Sequence, residues 1–174
     1  MLRTRVLTAV VLLAVFLLAL FLLPPLGWLL FVTAVAAVAA WEWGALMRLP
    51  GGSRIALAVA LATVCLLLAM VEPEAVGLVA GFADSAWRLG ACLYLPAVVF
   101  WLLLAPIWLR RRWPLGNTLP ALATGAVVLL PLWLALVQLR QAGPLAVLAI
   151  MAVVWLADIG AYFSGRRFGK HKLA

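Results

Sequence analysis

The stretch Val6–Leu23, VLTAVVLLAVFLLALFLL, is followed by Pro24 and Pro25 and then by Leu26–Met47, LGWLLFVTAVAAVAAWEWGALM. The first run is 18 residues without a charge, long enough to cross the hydrocarbon core of a bilayer as a helix. Within lipid a single segment can satisfy its own backbone only as a helix. Two adjacent prolines cannot continue that helix, because each lacks an N–H and its ring meets the preceding turn. The two runs therefore predict a helical hairpin. A cleavable signal peptide has a shorter apolar core, about 7 to 15 residues, and small residues at its cleavage site. Here the run ends in LLPPLGW, so we read it as a retained first span.

Working outward, the same pattern recurs. Ile55–Val71, Leu89–Leu109, Leu119–Leu139 and Leu145 to about Phe163 are further apolar runs, giving six expected spans and an all-α, polytopic transmembrane fold. Composition agrees. The 174 residues are 69% hydrophobic and 10% charged, with a mean hydropathy of +1.25. Soluble domains are about 45–50% apolar, so a soluble globular fold is excluded. The net charge of +8 does not point to nucleic acid, because the basic residues sit at the ends of apolar runs and not on one soluble face. One transmembrane domain over 1–174 is expected.

The basic residues act as topology signals. Arg3, Arg5, Arg48, Arg54, Arg110 to Arg112, Arg166, Arg167, Lys170 and Lys172 fall on one side of such a membrane, and only Arg88 and Arg140 on the other. Positive residues accumulate on the cytoplasmic side, so both termini are expected to be cytoplasmic and the protein to lie in the cell (inner) membrane. Arg110 to Arg112 read first as a stop-transfer run, with phosphate or anionic-lipid binding as the alternative. Trp41 and Trp43 suit the headgroup level, and Glu42 reads as an interfacial acid. The loop after the third run is the one richer in acid than base, with Glu72, Glu74 and Asp84 against Arg88. Pro131 is expected to kink the fifth span. Cys65 and Cys92 have no metal-ligand spacing and read as packing residues.

Chemistry concentrates in Trp155–Ala174, WLADIGAYFSGRRFGKHKLA. A carboxylate inside a membrane segment costs about 2.5 to 3.5 kcal/mol on insertion scales, which makes Asp158 a functional candidate. If the helix continues, Asp158, Tyr162 and Arg166 lie on one stripe, with about 12 Å of rise from the acid to the base. A carboxylate there suits a hard divalent cation such as magnesium, which binds through one or two carboxylates plus substrate phosphates. Arg166, Arg167, Lys170 and Lys172 suit phosphate oxygens. GRRFGKHK also reads as a solvated topology signal, Gly160 and Gly165 as helix-packing positions, and His171 as a surface residue rather than a catalyst.

The run ADIGAYFSGRRFGKHKLA closely resembles the central motif of the phosphatidate cytidylyltransferases (CDP-diacylglycerol synthases), where an Asp, a Gly-Ala-Tyr and a Gly-Lys-His-Lys-Leu-Ala follow a hydrophobic helix. The basic tip, the apolar hairpin, WEWGALM and LLPLWLALVQLR are similar too. The resemblance implies a polytopic enzyme that uses CTP and Mg2+ to convert phosphatidate into CDP-diacylglycerol and pyrophosphate. It implies Asp158 as catalytic and metal-binding, and Tyr162, Arg166, Arg167, Lys170, His171 and Lys172 as substrate-binding. The lipid bilayer and a homodimer are further expected partners.

In that family a Ser-Pro-Lys-Thr-x-Glu-Gly run and a carboxy-terminal signature follow the motif, whereas this sequence stops at Ala174 and has no acid after Asp84 except Asp158. An amino-terminal fragment, inactive alone, is the expectation. A small membrane transporter or a structural membrane subunit is the alternative. A transporter needs several intramembrane polar residues on different spans, and only Glu42 and Asp158 qualify.

Overall fold

The computed structural model describes residues 2–111 and 118–169, with side chains from residue 7 onward. Its helices are α1 (Leu2–Leu22), α2 (Pro25–Leu46), α3 (Gly51–Val71), α4 (Phe82–Val99), α5 (Ala105–Arg111), α6 (Thr118–Leu139) and α7 (Pro144–Phe168). A π-helical segment, Phe100–Leu104, joins α4 to α5, and a 3-10 turn, Arg140–Ala142, follows α6. Among the described residues there is no strand. Five helical runs are long and apolar enough to cross a membrane: Pro25–Leu46, Gly51–Val71, Phe82–Arg111, Thr118–Ala142 and Pro144–Phe168. α1 carries the first apolar run, and its described part, Leu7–Leu22, is an apolar helix as well. The fold is all-α; the five runs correspond to the second to sixth expected spans, and α1 to the first.

The fourth run differs from expectation at its start. It begins at Phe82, so Asp84 and Arg88 are helical and not part of the preceding loop. Hydropathy marks where a helix enters oil, whereas a helix itself tolerates charge. Gly81, at φ 104°, turns the chain into α4, and Asp84 in the first turn faces the positive end of the helix dipole. The helix next loosens into its π-helical segment four residues past Pro96, which has no N–H to donate. Around Pro131, where a kink was expected, α6 is helical throughout and the proline is buried.

The chain divides into two compact units, Met1–Gln138 and Leu139–Ala174. The core of the first is built on α2. Its buried positions Trp28, Val32, Ala36 and Ala40 recur every four residues and so share a face. Small residues there allow close helix approach, and α3 answers with Leu61, Cys65 and Ala69 at the same spacing.

Against α6 the contact is specific. The Trp28 indole N–H donates to the Leu136 carbonyl at 3.1 Å, Trp133 Nε1 to Thr33 Oγ1 at 3.0 Å, and Trp43 Nε1 to the Ala121 carbonyl at 3.0 Å. Residue numbers rise along α2 as they fall along α6, so the two helices run antiparallel. At the far end of α6, Gln138 Nε2 donates to the carbonyls of Ala75 and Ala86, both at 2.9 Å, while Tyr94 Oη donates to Gln138 Oε1 at 2.9 Å. That amide ties the loop 72–81 and α4 to α6. Glu74 accepts from the Ser85 hydroxyl, and Glu72 pairs with Arg88 at 3.6 Å.

Candidate functional site

The second unit presents the motif on α7. Gly143, at φ 107°, turns the chain, and Pro144 begins the helix, where its missing N–H costs nothing. The helix then runs unbroken through Gly160 and Gly165 to Phe168. A Cβ at either glycine would meet nothing within 4 Å. The continuous helix puts Asp158, Tyr162 and Arg166 on one stripe, each four residues from the next, as their spacing predicts. All three are exposed on α7, as is Arg167.

Arg166 and Arg167 fall in the last turn, where positive charge is stabilised by the helix dipole. The Arg167 guanidinium lies 5.8 Å from the centre of the Phe168 ring, and Tyr162 meets Phe163 edge to face at 5.5 Å. The turn closes at Gly169, whose N–H donates to the Gly165 carbonyl at 2.9 Å. A side chain at Gly169 would collide with that carbonyl oxygen, so the motif needs glycine at this position. Lys170, His171 and Lys172 lie outside the described residues.

A hard cation would find one carboxylate here. Among the described residues no three His, Cys, Asp or Glu side chains gather into a metal-binding group. Asp158 could supply one or two of the six oxygens that magnesium takes, with phosphate oxygens and water completing the set.

In the first unit the WEWGALMR segment closes α2. Arg48, at φ 57°, ends the helix, its N–H donating to the Ala45 carbonyl at 2.9 Å. Arg54 donates from Nε to the Trp41 carbonyl at 3.2 Å, and its guanidinium sits 3.8 Å over the Trp41 ring. Glu42 is exposed. Trp43, expected at the headgroup level, has its indole seated against Gly125 and bonded to α6. The sequence signal for these ties was available as polar atoms within apolar runs: Thr33, the Trp indoles and Gln138.

The model of the cytidylyltransferase family matches residues 3–174 of this chain. The chain belongs to the cytidylyltransferase family. A phosphatidate cytidylyltransferase of Pseudomonas aeruginosa is 39% identical over 186 aligned residues, taking in 100% of this chain and 61% of that protein. A phosphatidate cytidylyltransferase of Haemophilus influenzae is 34% identical over 193 residues, taking in 100% of this chain and 64% of that protein. The chain thus spans less than two thirds of the length of these cytidylyltransferase relatives. No solved structure matches it. The family match takes in both the α2–α6 scaffold and the whole motif of α7.

Proposed function

We propose that this chain forms part of a membrane phosphatidate cytidylyltransferase, with CTP and phosphatidate as substrates and the α7 motif at the cytoplasmic face. One observation carries the proposal: in a chain of the cytidylyltransferase family, α7 holds Asp158 two helical turns before Arg166 and Arg167 without interruption.

In the proposed reaction a phosphate oxygen of phosphatidate attacks the α-phosphorus of CTP. The P–O bond to the β-phosphate breaks, and pyrophosphate leaves with the electron pair. Such a transfer needs alignment and charge neutralisation more than covalent help from the protein. Arg166 and Arg167 suit this work, because a guanidinium donates two parallel hydrogen bonds to phosphate oxygens. Tyr162, one turn nearer Asp158, carries a hydroxyl that can donate to the same groups. Lys170, His171 and Lys172 are proposed to extend the phosphate-binding surface. Asp158 would hold magnesium, whose chemistry is to offset negative charge on the phosphates.

The test is CTP-dependent formation of CDP-diacylglycerol by the purified gene product in lipid. Asp158→Asn keeps the side chain's size and removes its charge, and is expected to lower kcat by about 100-fold or more. Unchanged turnover in Asp158→Asn would overturn the assignment.

A further inference from the structure

The first unit carries a groove of about 470 Å³ that none of the proposed chemistry uses. Pro96, Phe100, Leu104 and Trp108 form one wall, and Ala123 and Val127 of α6 line the other. Its polar lining groups are the Thr124 hydroxyl, already donated to the Pro120 carbonyl at 2.8 Å, and the indole N–H of Trp108. The groove therefore suits a hydrocarbon. Its wall includes the π-helical segment Phe100–Leu104, and such irregular turns recur at functional sites.

Length and charge narrow the occupant. From Pro96 to Trp108 the wall rises about 18 Å, close to the roughly 15 Å of one leaflet in a 30 Å hydrocarbon core. Phe100, Leu104 and Trp108 recur every four residues, and the same stripe continues three residues on to Arg111, beside Arg110. Both arginines are exposed. An apolar slot about one leaflet deep thus lies below the helix end that carries Arg110 and Arg111. A helix from a second copy, about 10–12 Å across with its side chains, needs more room than a groove of this volume provides.

We propose that this groove holds one acyl chain of an anionic glycerophospholipid of the surrounding membrane, with its headgroup phosphate paired to Arg110 and Arg111. The lipid is a bound component of the first unit. Its recognition does not depend on the α7 motif, so it stands or falls apart from the nucleotidyltransferase assignment.

The experiment is native mass spectrometry of the purified gene product in detergent, equilibrated with phosphatidylglycerol or phosphatidylcholine of identical acyl chains. The wild-type protein is expected to retain one phosphatidylglycerol with about tenfold preference over phosphatidylcholine, since each basic residue at the surface favours anionic lipid. Arg110→Gln with Arg111→Gln should bring that preference close to one while the phosphatidylcholine signal persists. Ala123→Trp, which fills the groove, should lose both lipids. If Ala123→Trp fails to give a helical circular-dichroism spectrum, Val127→Phe takes its place. Equal retention of the two lipids by the wild-type protein would overturn the proposal, as would a preference unmoved by the double arginine substitution. So would disulfide cross-linking of two copies through Val127→Cys, which would put a second chain in the groove.

Discussion

Trp133 on α6 donates its indole N–H to the Thr33 hydroxyl on α2 at 3.0 Å, and that hydroxyl passes its own hydrogen to the Leu29 carbonyl at 2.8 Å. Both side chains are buried, and this indole-to-hydroxyl bond lies between the two indole-to-carbonyl bonds that tie α2 to α6. Thr33→Val leaves the indole N–H without its acceptor inside an apolar contact. Hydrogen bonds between membrane helices average about 0.6 kcal/mol, with a buried unsatisfied donor costing about 1–3 kcal/mol. Thr33→Val is therefore expected to destabilise by about 1 kcal/mol. Thr33→Val with Trp133→Phe, in which both polar partners are gone, should cost less than the sum of the single changes. Thermal denaturation in detergent across this double-mutant cycle measures the coupling, and strictly additive losses would contradict it.

Gly125 sets how closely α2 and α6 approach at the other end. A Cβ there would come within 2.6 Å of Trp43 Nε1 and 2.8 Å of its Cδ1. The indole is held by its bond to Ala121, so it cannot yield without breaking that bond. Gly125→Ala is expected to destabilise by about 1–3 kcal/mol, the usual cost of overpacking, although alanine favours a helix over glycine. Pairing Gly125→Ala with Trp43→Leu should recover part of the loss in the same melt.

How much of this could be read beforehand follows from where each feature takes its energy. The spans were legible because a bilayer selects a helix on the hydropathy of its own residues. Their ends were less so: α3 starts at Gly51 and α4 at Phe82, since helical hydrogen bonds continue past the point where apolar residues stop. The stripe Asp158, Tyr162 and Arg166 needed only 3.6 residues per turn, and α7 carries it. The α2–α6 pairing was hidden because its bonds join residues about 100 positions apart. A tryptophan that anchors a helix to its neighbour has the same letter as one that sits among headgroups. Trp43 was read as the second, and the structure shows it serving as the first.

Gln138 concentrates three hydrogen bonds in one side chain, two given to the carbonyls of Ala75 and Ala86 and one accepted from Tyr94. Ala75 and Val76 are buried, so this amide reaches a loop whose backbone water does not fully serve. Gln138→Leu keeps the volume and removes all three bonds, at an expected cost of about 2–3 kcal/mol. Tyr94→Phe removes one and should cost about 0.5–1.5 kcal/mol. Limited proteolysis within residues 72–81 gives a local readout. Cleavage should speed up in Gln138→Leu well before global melting, and equal rates would mean the loop is held by other contacts.

The proposed orientation sets the two ends of α3 on opposite sides of the membrane. Gly51 and Ser53 start that helix beside Arg48 and Arg54, and the loop with Glu72 and Glu74 follows its other end. Moving basic residues across a membrane is disfavoured during insertion, so the arginine-flanked end should face the cytoplasm. In a background with Cys65 and Cys92 replaced by alanine, Val79→Cys, on an exposed loop position, should react with a membrane-impermeant maleimide added to intact cells. Ser53→Cys should react only after the cells are permeabilised. The reverse pattern would turn α3 over and contradict the proposed orientation.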